Sequence, residues 1–186
     1  MRVIAGALKG RRLKAPSWEG LRPTSDKLRE TLFNILAPRV PGARVLDGCA
    51  GTGALGIEAL SRGAVAATFV DSDRRAVALI NENVAHCGIA DRCAIIQSTL
   101  TRACETLRGG RAFEPFDIVL LDPPYSPEHA SSFEGTLAAV AAVLAPGGIA
   151  VLEHTRRAVV PDAAAGLAVT RRVLSGNSAL TFYDHS

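Results

Sequence analysis

The sequence has no apolar run that reaches the ~20 residues a membrane-spanning helix requires. It has no CxxC pair either. Its four cysteines, Cys49, Cys87, Cys93 and Cys104, stand apart and its four histidines are scattered. No metal site is therefore expected, and reduced, mostly buried thiols are the reading. There is no internal repeat and no low-complexity segment, which argues against a solenoid and against a compositionally disordered tract. The opening residues, MRVIAGALKGRRLKAP, lack the layout of a secretory signal, because the basic residues follow the short apolar stretch instead of preceding it. These absences lead to the expectation of a cytoplasmic protein with no membrane role, monomeric by default.

What is present is an ordinary globular balance, 48% hydrophobic and 21% charged. A length of 186 residues suits one domain with a small appendage and is enough to bury a core without staples. The net charge of +3 is unevenly placed. Residues 1–29 carry eight basic side chains against Glu19 and Asp26, a local +6 that leaves −3 for the remainder. Arg2, Lys9, Arg11 and Arg12 therefore read either as a solvated face or as a polyanion-binding arm on a near-neutral body.

The arm has structure of its own. Val3-Ile4-Ala5 and Arg12-Leu13, separated by Gly6 and Gly10, suggest a small hairpin. A helix follows, capped by Thr24 or Ser25, buried along Leu28, Leu32, Ile35 and Leu36, and ended by Pro38. This makes residues 1–40 an extension and residues 41–186 the main domain. From Ala43 onward strands and helices alternate: strands at Arg44–Leu46, Ala66–Val70, Cys93–Ile96, Phe116–Leu121 and Ile149–Leu152, with helices between them. The helix through Phe133, Leu137, Val140 and Leu144 is expected to break at Pro146-Gly147-Gly148. Alternation of this kind means right-handed crossovers and a parallel sheet. The last two strands, around Ser175-Gly176-Asn177, are too closely connected for a crossover and form an antiparallel hairpin. The expected fold is α/β and Rossmann-like: a mostly parallel seven-stranded sheet with an antiparallel C-terminal hairpin, resembling the plan of the class I methyltransferases. Ligands in such sheets lie beyond the carboxyl ends of the strands.

After the first of these strands comes Gly51-x-Gly53-x-x-Gly56, a spacing that permits a tight turn and close approach of backbone to ligand. Asp71, with Ser72 beside it, ends the second strand and can receive two ribose hydroxyls. Both features suit a dinucleotide. Asp47 does not, because a carboxylate just ahead of the loop repels a pyrophosphate. It suits a ligand with an ammonium group, and S-adenosylmethionine has one, together with a sulfonium and no phosphate. Nor is there a second nucleotide-binding half for a nicotinamide.

Asp122-Pro123-Pro124-Tyr125 follows the fourth strand. Two prolines donate no backbone hydrogen bonds and stiffen the chain. The Asp122 side chain and the Pro123 carbonyl are then two fixed acceptors, matched to the two hydrogens of an exocyclic amine. Tyr125 can stack on the base, worth ~1–3 kcal/mol. A base inside a duplex cannot reach such a site, so it must be flipped or unpaired.

With these motifs in view, the chain resembles the small-subunit ribosomal RNA guanine-N2 methyltransferases of bacteria. The resemblance runs through Arg2-Val3-Ile4-Ala5-Gly6, Lys9-Gly10-Arg11, Leu21-Arg22-Pro23-Thr24 to Asn34, Asp47 to Gly56, Glu58 to Ala64, and Asp122 to Tyr125. It implies cofactor contacts at Asp47, Ala50, Gly51 and Gly53, ribose recognition at Asp71, and amine recognition at Asp122 with stacking by Tyr125. It also implies that Arg22, Thr24 and Arg29 lie near the RNA or the mouth of the site. Asp71 stands where the family often has Glu. Gln97-Ser98-Thr99 lacks the family's frequent adenine contact, so Gln97 or Ser98 substitutes. Cys49 stands where an aromatic is common and reads as packing. S-adenosylmethionine as cofactor and 16S RNA, alone or in the small subunit, as partner follow from this resemblance. The other readings are an adenine-N6 methyltransferase of DNA, a hydride-transferring NAD enzyme, and an RNA-binding module without catalysis.

Overall fold

The computed structural model describes residues 1–16, 25–123 and 133–185. Along the chain it places α1 (Asp26–Leu36), β1 (Arg44–Gly48), α2 (Ala54–Ser61), β2 (Ala66–Asp71), α3 (Arg74–Cys87), β3 (Cys93–Gln97), α4 (Leu100–Arg108), β4 (Phe116–Leu121), α5 (Phe133–Ala141), β5 (Leu144–Thr155), β6 (Ala163–Ala164), β7 (Leu167–Ser175) and β8 (Ser178–His185). All strands join one sheet in the order β3-β2-β1-β4-β5-β8-β7-β6. The strands from β3 to β5 pair in parallel, and β8, β7 and β6 add antiparallel pairs at one edge. Strand order reverses between β1 and β4, so the carboxyl ends of those two strands flank the crevice in which this architecture binds ligands.

Two expectations need correction. Among the described residues the sheet has eight strands, not seven. Ala165 and Gly166 both have positive φ, and the turn they make folds Ala163 and Ala164 back against Ala168 and Leu167. Two alanines carry no periodic signal, so pairing alone creates this strand. Leu144 belongs to β5 and not to the preceding helix, which ends at Ala141. Pro146-Gly147-Gly148 lies within β5 as a bulged excursion: Phe116 pairs with Leu144, but Ile118 pairs with Ile149. Pro146 has no N–H for the ladder and Gly147 has φ +74, so the chain loops out before pairing resumes.

Helices cover both faces, which is why the inner strands read as near-continuous apolar runs. One face packs residues of α1, α2 and α3 against Val45, Phe69, Ile118, Leu120 and Val151. The other packs α4 and α5 against Leu46, Val70, Val119, Leu121 and Leu152. Local signals set the helix ends. Ser25 accepts from the Leu28 amide at 3.2 Å to cap α1, Asp73 accepts from Arg75 at 2.8 Å to cap α3, and left-handed Gly88 stops α3.

The N-terminal segment is riveted to α2. An antiparallel bridge joins Arg2 to Arg12. The buried Glu58 carboxylate accepts from the amides of Ile4 at 2.7 Å and Ala5 at 3.0 Å and from Arg62 Nε at 2.7 Å. Ser61 accepts from Leu8 through its hydroxyl and from Ala7 through its carbonyl. Val3 and Leu13 join the same core as α1 and α2. Gly6 crosses this contact at φ +83, and a Cβ there would lie 1.8 Å from the Ser61 carbonyl oxygen. Gly10 has φ +84 but open space around it. Gly10→Ala should therefore cost only the left-handed conformation, about 1–2 kcal/mol, whereas Gly6→Ala should cost clearly more and lift the segment from α2. Denaturant unfolding of both variants, with amide exchange at Ile4 and Ala5, checks this; equal costs would contradict the close approach.

Candidate active site

The loop between β1 and α2 is organised by a carboxylate. Asp47, 1% exposed, accepts from the Gly56 amide in the first turn of α2 at 2.8 Å. That amide is one a helix N-terminus would otherwise offer to a phosphate. Gly53 caps α2 in the left-handed region at φ +75, Gly51 has φ +57, and Cys49 takes φ +64 despite its side chain. A Cβ on Gly56 would lie 2.4 Å from Phe69 Cε1, so this glycine serves the packing of α2 on β2. The amide and carbonyl of Ala50 bond to Val70 and Gly53, and its methyl is buried with the apolar cluster on that face of the sheet.

Asp71 holds the loop from the neighbouring strand. Its Oδ2 accepts from Gly51 at 2.8 Å and its Oδ1 from Asp73 at 2.9 Å. Each oxygen keeps a second lone pair. Ser72 is exposed beside it. Gln97 pairs with Asp71 across β2 and β3, and the Ser98 amide bonds to the Asp71 carbonyl at 3.0 Å. The fold thus gathers Asp47, Gly51, Gly53, Asp71, Gln97 and Ser98 along one edge of three adjacent strands.

Asp122 and Pro123 come directly after β4, partly buried, across the switch point from the loop. Pro124 and Tyr125 lie outside the described residues, as do Arg22 and Thr24. Burial pushes the Asp47 carboxyl up to about 8; the Gly56 hydrogen bond opposes this, and the charges of Asp122 and Asp71 add to it. Burial, and then Asp71, Asp122 and Asp47, push the Cys49 thiol up to about 12. Cys49 is therefore no thiolate nucleophile. A pocket edged by these carboxylates favours a cation and repels phosphate.

The arm's cations divide. Arg2, Lys9 and Arg12 are exposed; Arg11, also exposed, donates to the His86 carbonyl at 2.7 Å. Arg29 departs from the expectation of an RNA contact: it is fully buried and donates to the Arg2 carbonyl and to Asp26. Its place one turn into α1, beneath the N-terminal segment, makes it an internal strut. Burial lowers its pKa, against the pull of Glu58 and Asp26. Two residues of the site neighbourhood escaped sequence reading. Asn83, fully buried on α3, donates to the Thr52 carbonyl at 3.0 Å and accepts from the Lys14 amide at 2.8 Å, tying the glycine loop to the N-terminal segment. Glu153, 6% exposed on β5, directly follows Leu152, which pairs with the Leu121 that precedes Asp122. Each is a polar residue inside an apolar pattern, which was the available signal.

Comparison with known proteins agrees with this geometry. The family described as Conserved hypothetical protein 95 matches residues 1–184. The chain belongs to this family. YlbH of Bacillus subtilis is 35% identical over 183 residues, 98% of each chain. Ribosomal RNA small subunit methyltransferase D of Haemophilus influenzae is 41% identical over 127 residues, 67% of this chain and 64% of that protein. The aligned part therefore spans just under two thirds of that relative. The solved structure described as "Putative methyltransferase yhhF from Escherichia coli" superposes with a TM-score of 0.82 at 31% identity, covering 100% of this chain and 98% of that one. The family's fold is thus reproduced from the basic arm to the C-terminal hairpin, and methyl transfer is its chemistry.

The Asp47 carboxyl gives a test of the site's electrostatics. A carboxyl whose pKa rises on folding binds more protons folded than unfolded, so its contribution to stability falls as pH climbs from its ordinary value near 4 to about 8. Asp47→Asn keeps an acceptor for Gly56 but cannot ionise. In ligand-free protein the variant should gain on the wild type across that window and level off above it, read by denaturant unfolding at each pH. Parallel profiles would show that Asp47 is not held protonated.

Proposed function

We propose that this methyltransferase uses S-adenosylmethionine to methylate N2 of a guanine in 16S ribosomal RNA, in the cytoplasm, on the small subunit or a precursor of it. The observation that carries the reading is Asp122-Pro123 placed across the switch point from a glycine loop edged with carboxylates. The residues fit the donor. Asp47 matches an ammonium, Asp71 has lone pairs for ribose hydroxyls, Gln97 and Ser98 lie beside Asp71 for the adenine, and no phosphate-binding amide is left at Gly56. When bound, S-adenosylmethionine supplies an electrophilic methyl on a sulfonium. The protein's part is positioning and electrostatics. Asp122 and the Pro123 carbonyl accept the two hydrogens of the amine, which withdraws its lone pair from conjugation with the base and aims it at the methyl. The nitrogen would gain the methyl as its bond to sulfur breaks, with S-adenosylhomocysteine as the leaving thioether, and the proton made acidic by the new positive charge would pass through Asp122 to water, so no strong base is needed. Tyr125 supplies a stacking face and Pro124 stiffens the loop. The N-terminal segment, with Arg22 and Thr24 following it, faces the RNA and brings Arg2, Lys9, Arg11 and Arg12 to its phosphates. The relative from Haemophilus influenzae, which carries small-subunit RNA in its name, supports this substrate.

S-adenosylhomocysteine should raise the thermal midpoint and NAD should not, since only a ligand of the native state stabilises it. Labelled methyl should pass to 16S RNA or small subunits and not to DNA. Asp122→Ala should lose at least about a hundredfold in transfer while still binding S-adenosylhomocysteine. Stabilisation by NAD alone, or full activity in that variant, would remove the reading. Charge reversal at Lys9 and Arg12 should weaken RNA binding and flatten the slope of log K against log salt by about 1 to 2; an unchanged slope would return these residues to a solvated face.

A further inference from the structure

The carboxyl edge of the parallel sheet presents one more acid on the face that carries the site. Side chains alternate along a strand, so Asp47 shares a face with Val45, Asp71 with Phe69, Asp122 with Leu120 and Glu153 with Val151. Val45, Phe69, Leu120 and Val151 all belong to one buried cluster. In strand order the four acids therefore run Asp71, Asp47, Asp122, Glu153 across β2, β1, β4 and β5. Leu121 pairs with Leu152, which makes Asp122 and Glu153 neighbours on adjacent strands, about 4.8 Å apart in backbone spacing. Asp71 and Asp47 are engaged on the glycine-loop side. Glu153 lies on the other side of Asp122, over β5, where the rest of the base must extend once its amine is at Asp122.

Its setting is built and not incidental. Ile149 to Leu152, the four residues before it, are all buried and apolar, and a carboxylate continuing such a run is not a packing choice. The strand end is held rigid: Glu153 pairs opposite Leu180 of β8, and the next residue, His154, is fixed on the opposite face by the Thr155 carbonyl at 2.9 Å and Thr181 Oγ1 at 2.8 Å. Shielded from water at 6% exposure, a hydrogen bond to Glu153 discriminates more strongly than one at the surface.

We propose that Glu153 is the specificity-determining acceptor for the base: it takes the N1–H of guanine beside the amine held by Asp122 and Pro123. This rests on the proposed function and adds the residue that makes it selective. Guanine places an N1–H donor next to its N2 amine, so two adjacent carboxylates match two adjacent donor groups. Adenine carries a bare acceptor at N1, which a carboxylate repels. An active site built around a substrate N–H strongly rejects an analogue that lacks it, because its own polar group is left unpaired.

The test uses 2-aminopurine, which keeps the C2 amine and loses the N1–H. Small subunits are reconstituted with ligated 16S RNA carrying 2-aminopurine in place of the guanine that the wild-type protein labels. Wild type should favour guanine by about a hundredfold or more. Glu153→Gln, which offers N–H as well as C=O, and Glu153→Ala should each shrink that preference at least tenfold, with thermal stabilisation by S-adenosylhomocysteine retained. The loss of the O6 acceptor in the analogue affects every variant alike, so the change in preference isolates N1. An unchanged preference in the variants, or loss of S-adenosylhomocysteine binding by Glu153→Gln, would overturn this role while leaving methyl transfer to guanine in place. No labelling of RNA by wild type would remove the proposed function and this inference together.

Discussion

Asp47 sits where the first central strand ends, out of water, with its carboxylate turned onto the first turn of the following helix. The rest of the site is arranged around that contact. It withdraws a helix amide that would otherwise attract anions, and it sets the loop of Cys49 to Gly53 in a run of left-handed and tight conformations. Asp71 grips the same loop from β2 and Asp122 adds its charge from β4. Acidic side chains are thus gathered at one sheet edge. Burial pushes the Asp47 carboxyl up to about 8, and a cation beside it would favour the ionised form by replacing the lost hydration.

The same helix that begins at this loop carries the N-terminal segment at its other end. Glu58 and Ser61 satisfy the backbone of residues 4–8, and Asn83 bonds to both Lys14 and Thr52. The basic arm is consequently part of the catalytic body and not a loose tail. Its exposed cations therefore stand at set positions relative to the glycine loop. Burial of Arg29 belongs to this design: one basic residue of the arm is spent on internal support while Lys9 and Arg12 remain at the surface.

The parallel half of the sheet positions chemistry by strand order. Asp71, Asp47, Asp122 and Glu153 follow one another in the same sequence as β2, β1, β4 and β5, and the antiparallel hairpin of β7 and β8 holds β5 from its far side. Methyl transfer to an amine asks for little beyond alignment and charge, and a rigid sheet edge supplies both.

By itself the sequence determined the alternation of strand and helix, the glycine loop with acids at both of its borders, and the Asp-Pro-Pro-Tyr segment after a buried strand. These were legible because each depends on local chemistry: periodicity, left-handed turns that favour glycine, and residues that cannot donate a hydrogen bond. Only the tertiary structure decided that Arg29 faces inward, that Leu144 starts a strand, that two alanines form an eighth strand, and that Glu153 stands beside Asp122. Each of these depends on partners distant in the chain. Burial and register are properties of pairs of elements, and no spacing within a single segment encodes them.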